Sequence, residues 1–441
     1  MEHATLQWLD TACGPYAVIV QADGALTDGA ETVLCKSVQE SAAPLLYADA
    51  EVRSNTGRHA LYKPDYAPDT LLSRNYVGSP LLLSRAFLEQ MGGAMDAMDA
   101  DMLYSLTVRC MLRAEKALHI PRVLFRGGPL PLPKTTAAVR EGVALLGRSG
   151  VAAEAAEAGC FTVRYGLRRP EKISVIVRGW GDMEALRRTL ESVELRSSYE
   201  NYELIVVDGG IIPERTARYY DRLERGRAAK IVRCPGKDND AQLKNTAASR
   251  AEGAFLLFLE AGVELGGHDA LLRLAEHAQH PETGAVGGLV EDAQGNLLHA
   301  GLFVDANSVP CPQRRPGKAG ERQSSDDARC THNVTLLGGG AFLLRSDDFF
   351  SAGGFDETFD SCWCEAALAL LLSRRKRFNV FTPDARFVRT AARIAPLSRR
   401  NRERCGDVFG PLRRLGDPLR SQNPAFLAES RAGTGRSGGA K

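Results

Sequence analysis

KISVIVRGWGDMEALRRTLESVELRSSYENYELIVVDGG, spanning Lys172–Gly210, reads as strand, helix, strand. Ile173, Val175, Ile176 and Val177 form an unbroken apolar, β-branched run, the pattern of a strand covered on both faces in a parallel sheet. Met183, Leu186, Leu190 and Val193 then recur at three- and four-residue steps, so one stripe of a helix can cover that sheet. A second apolar run, Leu204–Val207, stops at Asp208-Gly209-Gly210. A carboxylate at the C-terminal end of an early strand faces the crevice where open α/β sheets bind ligands. The stretch therefore predicts an α/β, Rossmann-like nucleotide-type domain.

Working outward, the chain has 441 residues, enough for two domains or three. Its formal net charge of +2 gives no electrostatic case for a nucleic-acid partner. Ten cysteines are scattered without a dense framework, which predicts reduced thiols and a cytoplasmic setting. MEHATLQWLDTACG has no basic start followed by a long apolar core, so no signal peptide is expected. No apolar run approaches the roughly 20 residues that span a bilayer. An arginine excess from Arg399 to Arg436 offers peripheral contact with an anionic surface, such as the inner membrane.

Four regions are expected. Residues 1–126 read as a partial module with strand-like runs at Tyr16–Val20, Leu45–Tyr47, Leu81–Leu83 and His119–Phe125, and with Pro64 and Pro68 marking an extended crossing. This module lacks an opening strand–helix–strand of its own. Residues 127–170 read as a linker containing an Ala-rich helical stretch over 135–158, broken near Gly147 and Gly150, and a strand at Phe161–Tyr165. Residues 171–395 complete the nucleotide-type domain, with a strand expected through the three glycines of Leu336–Arg345 and a polar loop at 307–329. Residues 396–441 form a basic tail rich in Gly and Pro, with little fixed structure expected after about residue 425.

The order Ile173–Val177, Tyr202–Asp208, Asn245, Phe258–Glu264, Gly338–Arg345, Gly353–Phe359 and Pro383 resembles glycosyltransferase family 2 in its GT-A fold. GAVGGLVEDAQGNLLHAGLFV (Gly284–Val304) and LLGGGAFLLRSDDFFSAGGFDETF (Leu336–Phe359) resemble the large two-module bacterial enzymes of O-antigen and rhamnan synthesis. LLYADAEV, YKPDYAPDTLLSRNYVGSPLL and HIPRVLF resemble the second half of the upstream module of such proteins, so the likeness covers roughly residues 15–390. It implies an inverting hexosyl transfer from a nucleotide-sugar donor to a glycan or lipid-linked acceptor, assisted by a divalent cation, Mg²⁺ or Mn²⁺.

Such a transfer must hold a nucleotide, stabilise a departing diphosphate and deprotonate an acceptor hydroxyl. The resemblance places Asp208, Asp182 and Asn245 on the nucleotide-sugar, and Gly339, Gly340 and Asp356 on the acceptor side. The family's Asp-x-Asp-like metal motif falls at Glu260-Ala261-Gly262. Glu260 is then the candidate ligand, while Gly262 stands where the family has its metal-binding Asp. Glu365 matches the general base, and a helix N-terminus is expected to keep it ionised. Ala367, Leu371 and Arg389 replace an acid, an arginine and a histidine of the family, and Arg178 replaces a proline. These departures cluster at the chemistry rather than in the scaffold, and leave open a second reading, a catalytically silent scaffold or glycan-binding protein on the same fold.

Overall fold

The computed structural model describes residues 4–54, 57–93, 97–130, 132–154, 159–179, 182–210, 212–305, 307–312, 328–359, 363–391 and 399–425. They form two compact units, one from residues 1–165 with 415–441, the other from residues 166–414. The expected polar loop lies mostly outside the described residues, as does the tail beyond 425.

The second unit carries the site. Its main strands are β1 (Ile173–Arg178), β2 (Tyr202–Asp208), β3 (Lys230–Arg233), β4 (Phe255–Leu259), β5 (Val263–Leu265), β6 (Thr283–Asp292), β7 (Ala341–Arg345) and β8 (Phe378–Arg389). They assemble in the order β3-β2-β1-β4-β7-β6-β8-β5. β1 is parallel to β2 and β4, and β7 runs antiparallel to β4. The apolar runs exist because both faces are covered. Val175, Val177, Val206 and Leu257 enter one buried cluster, while Ile176, Ile205, Val207 and Phe258 enter the other. Full burial of each such side chain contributes about 1.5–3 kcal/mol.

Helix α1 (Met183–Arg196) lays Leu186, Leu190 and Val193 on the first face. Helices α2 (Glu214–Arg225), α3 (Asp240–Ala248), α4 (Ala270–Ala278) and α5 (Trp363–Arg374) follow, with α3 and α5 on the second face. The expected strand across the three glycines begins only at Ala341. Gly338, Gly339 and Gly340 have φ of 154°, 79° and 105°, and backbone in that region does not continue a ladder.

In the first unit an eight-stranded sheet carries the core. Among its described strands the one parallel pair joins Leu45–Ser54 to Ala117–Gly127. Three boundary expectations are corrected here. Residues 127–165 are not a linker: a helix over Ala137–Leu145 buries Ala138, Val139 and Val143 in the same core as Phe161 and Val163. Gly142 allows that close seat, since a Cβ there would lie 2.5 Å from the Leu72 side chain and would have to displace it. The Ala-rich stretch stops being helical at Leu145 and turns through Gly147 (φ 64°) into a hairpin of Gly150–Glu154 with Phe161–Tyr165.

The remaining two concern the proline crossing and the tail. Pro68 opens a short helix over Pro68–Ser73, where its fixed φ suits the first turn. Residues 399–415 are helical, and residues 417–423 return to the first unit. Asp65 N donates to Pro418 O at 2.7 Å, and Asn423 Nδ2 donates to the buried Asp49 carboxylate at 2.6 Å.

Candidate active site

β1, β2 and β4 all end at one edge of the second sheet, and β7 starts there, because Ala341 pairs with Leu259. This edge carries Arg178, Asp208, Glu260 and the Gly338–Gly340 segment. α5 brings Glu365 to it, and β8 brings Arg389. Asp208, Glu260 and Glu365 therefore share one edge, as their positions at strand and helix ends suggest.

Each of them already has partners. Tyr220 Oη donates to Asp208 Oδ2 at 2.6 Å, and Gly210 N to Oδ1 at 3.1 Å. Burial, reinforced by the Asp208 charge, pushes the Tyr220 hydroxyl well above its ordinary pKa, so it stays a donor. Gly179 makes room for this pair, since a Cβ there would lie 2.7 Å from Asp208 Oδ2.

Glu365 is 1% exposed. Lys244 Nζ donates to its Oε1 at 2.7 Å, and Gly339 N to its Oε2 at 2.8 Å. Burial raises its pKa, the Glu260 charge adds to that, and Lys244 and Gly339 only partly oppose it. The expectation that the helix N-terminus lowers it is overturned: desolvation outweighs the helix end. Gly338 is needed at this contact, because a Cβ there would sit 3.2 Å from Glu365 Cβ in a backbone that disfavours side chains.

Lys244 extends the pair into a buried network that sequence reading did not find. It also lies 2.9 Å from Asp240 Oδ2, and Arg178 Nη1 donates to Asp240 Oδ1 at 3.0 Å. Burial disfavours the Lys244 charge, but Asp240 and Glu365 together hold it protonated. The signal was present as Arg178 in place of a proline and as the four-residue spacing of Asp240 and Lys244.

Asp182 caps α1, accepting from Glu184 N and Ala185 N at 3.1 and 3.0 Å. Asn245 clamps the Gly353–Asp356 turn: its Nδ2 donates to Phe355 O at 2.9 Å and its Oδ1 accepts from Phe355 N at 2.8 Å. Asp356 accepts from Thr358 N and Oγ1 and from Arg404. Its partial burial would raise its pKa, but these bonds outweigh that and hold it low. Gly340 O accepts from Glu260 N at 3.0 Å.

The residues at the metal motif do not fit a divalent cation. Glu260 Oε2 lies 2.9 Å from Arg389 Nη2. Gly262 has φ 87°, and a Cβ there would meet Ala391 Cβ at 2.6 Å. Glu264 accepts from Thr390 Oγ1 at 2.9 Å and pairs with Arg188 and Arg196. Among the described residues no group of three or more His, Cys, Asp or Glu could hold a metal ion. Ala367 and Leu371, half-buried, add no charge. An open groove of about 840 Å³ lies between Tyr202 and Lys230, at the opposite edge of the sheet.

An open sheet with two parallel neighbours flanking β1, acids at the carboxyl edge and an antiparallel β7 beside them is the arrangement of a GT-A-type α/β fold. Residues 174–345, all within this unit, match the family model "Glycosyl transferase family 2". The chain is 28% identical over 375 residues to the O-antigen biosynthesis protein RfbC of Myxococcus xanthus, covering 81% of this chain and 29% of that protein. It is 22% identical over 406 residues to protein y4gI of Sinorhizobium fredii, covering 87% and 45% respectively. The chain thus spans less than half the length of these curated relatives. Solved structures similar to it include GalNAc-T7 with UDP, GalNAc and Mn²⁺ (18% identity, TM-score 0.44, 56% of this chain and 49% of that one). Another is the mannosyltransferase PcManGT of Pyrobaculum calidifontis with GDP-Man and Mn²⁺ (16%, TM-score 0.37, 62% and 67%).

Proposed function

We propose that this protein transfers a hexosyl group, with inversion, from a nucleotide-sugar donor to a glycan or lipid-linked acceptor in bacterial surface-polysaccharide synthesis of the O-antigen type. The observation that carries this is the convergence of Asp208, Glu260 and Glu365 on the carboxyl edge of a family 2 sheet, beside the Gly338–Gly340 segment. In this reading Asp208, presented with Tyr220, faces the nucleoside, and Gly339 and Gly340 let a substrate approach backbone. Glu365, whose carboxyl burial has pushed up, is the base, since a raised carboxylate is better matched to proton transfer near neutrality. The acceptor oxygen bonds to the anomeric carbon as the bond from that carbon to the diphosphate breaks. The hydroxyl proton passes to Glu365, and the electron pair leaves with the nucleoside diphosphate. Glu365 is covered, so the Gly338–Gly340 segment must lift for the acceptor to reach it.

No described helix is long and apolar enough to cross a membrane. A cytoplasmic location, with peripheral inner-membrane contact through the basic tail, fits a lipid-linked acceptor. The test is release of nucleoside diphosphate from a panel of UDP-, GDP- and dTDP-sugars with lipid-linked acceptor, comparing the native chain with Glu365→Gln. Loss of the general base should lower turnover about 10²–10⁴-fold. Unchanged turnover would remove Glu365 from the reaction.

A second reading, a catalytically silent glycan-binding or scaffold protein, is favoured by one observation: the acids at this edge are bonded within the domain, and Glu365 is buried against Lys244. No turnover with any donor, together with retained glycan binding, would select it.

A further inference from the structure

The metal motif of this domain is replaced, and the replacement carries a positive charge of its own. We propose that the Arg389 guanidinium, rather than a divalent cation, faces the donor's diphosphate, so that nucleotide binds this site without metal. The inference rests on the proposed transferase reading.

Three observations carry it. First, Arg389 ends β8 opposite Val263 of β5, a register that sets its guanidinium beside Glu260, with Nη2 2.9 Å from Glu260 Oε2. Second, Arg389 Nε is buried without a hydrogen-bond partner. A guanidinium offers five N–H donors in a fixed fork, and phosphate oxygens are the acceptors that match it. Third, Nη2 lies 3.6 Å from where a Cβ of Gly340 would stand, so the cation sits beside the last glycine of the segment. The side chains of Arg389 and Glu260 are 17% and 18% exposed, whereas those of Lys244 and Glu365 are 8% and 2%. The Arg389 side chain is therefore the more open to a ligand of these two cations.

Charge balance points the same way. A divalent ion between two carboxylates sums to zero. Here Gly262 deletes one carboxylate and Arg389 supplies one positive charge against Glu260, which also sums to zero. A cation added at Glu260 would have to displace Arg389 or sit against it, at a cost in like-charge repulsion.

The experiment is calorimetric titration of UDP, GDP and dTDP into the full chain, once with Mn²⁺ and once with EDTA. The expected result is that the nucleotide that binds does so with the same Kd, within about twofold, in both buffers. Arg389→Ala should weaken it about 10-fold or more in both, as loss of a charge-assisted bond of ~1.5–3 kcal/mol requires. Arg389→Lys, which keeps the charge and serves as the folding control, should recover part of that loss. Binding that needs Mn²⁺ would overturn the inference and leave the transferase reading standing, as would native affinity in Arg389→Ala. Absence of binding by all three nucleotides in both buffers would overturn that reading, and the inference with it.

Discussion

The Lys244 ammonium lies 2.7 Å from the Glu365 carboxylate, and both side chains are almost wholly buried. Lys244 reaches Asp240 from the same position, and Asp240 reaches Arg178, so opposite charges alternate from the end of β1 to the start of α5. Each group is tolerable in the interior only because the next one neutralises it.

Removing the central cation should therefore be costly. Lys244→Met leaves Asp240 and Glu365 without it, and a broken buried pair costs about 3–5 kcal/mol. Urea unfolding of the second unit should show that loss. Lys244→Met with Glu365→Gln should recover part of it, because the uncompensated carboxylate is gone. A cost below about 1 kcal/mol for Lys244→Met, the level of a surface pair, would mean the network is not stabilising.

Restoring the family's metal-binding acid should not restore a metal site. In Gly262→Asp the new side chain enters a left-handed backbone and meets Ala391, which should cost about 1–3 kcal/mol. Thermal unfolding should show the loss, with no stabilisation on adding Mn²⁺. A variant as stable as the native chain that gains stability with Mn²⁺ would contradict this.

The first unit buries a lysine in its core. Lys63 is 1% exposed, donates from Nζ to Ser79 O at 2.8 Å, and has its pKa lowered by burial from 10.5 to about 7, with Asp49 opposing. Below pH 7 both folded and unfolded chains carry this proton, and the folded chain bears the full cost of burying it. Between pH 7 and 10.5 the unfolded chain binds more protons at this group, so its contribution to stability rises with pH. Lys63→Met should accordingly stabilise the unit more at pH 6 than at pH 9.5 in chemical denaturation. The His119 imidazole, placed between Asp49 and Asp65, is shifted the other way, because their hydrogen bonds outweigh its burial. Its contribution is fully present below its ordinary value of 6.5 and is lost as pH rises through its folded value. A gain for Lys63→Met that grows with pH would contradict the account.

The end of the chain should be a structural part of its beginning. Asn423→Ala leaves Asp49 Oδ2 without its buried donor and should cost about 1–3 kcal/mol. Limited proteolysis should cut the first unit faster in this variant. Equal rates would mean that residues 417–423 are not holding it.

The scaffold was legible because its signals are local and redundant. Val175, Val177, Leu204 and Phe258 could only be strand residues covered on both faces, and α1 shows its apolar stripe in Leu186, Leu190 and Val193. The candidate acids were legible from strand and helix ends. Their partners were not. Lys244 and Arg389 lie 121 and 129 residues from Glu365 and Glu260, by subtraction of their numbers, and no periodicity connects such positions. The direction of the Glu365 shift was missed for the same reason, since a helix N-terminus is visible in sequence and desolvation is not. The return of residues 417–423 was hidden by a composition that reads as tail, although Asn423 and Ser421 are as buried as core residues.

The central claim is that a nucleotide-sugar sits on the carboxyl edge of the second sheet. Hydrogen–deuterium exchange of the full chain, with and without UDP-, GDP- or dTDP-sugars at millimolar concentration, tests it most directly. The account predicts slower exchange at Gly209–Gly210, Glu260–Gly262 and Gly339–Ala341 with the correct donor. Exchange that is unchanged in all three segments with every donor would contradict it.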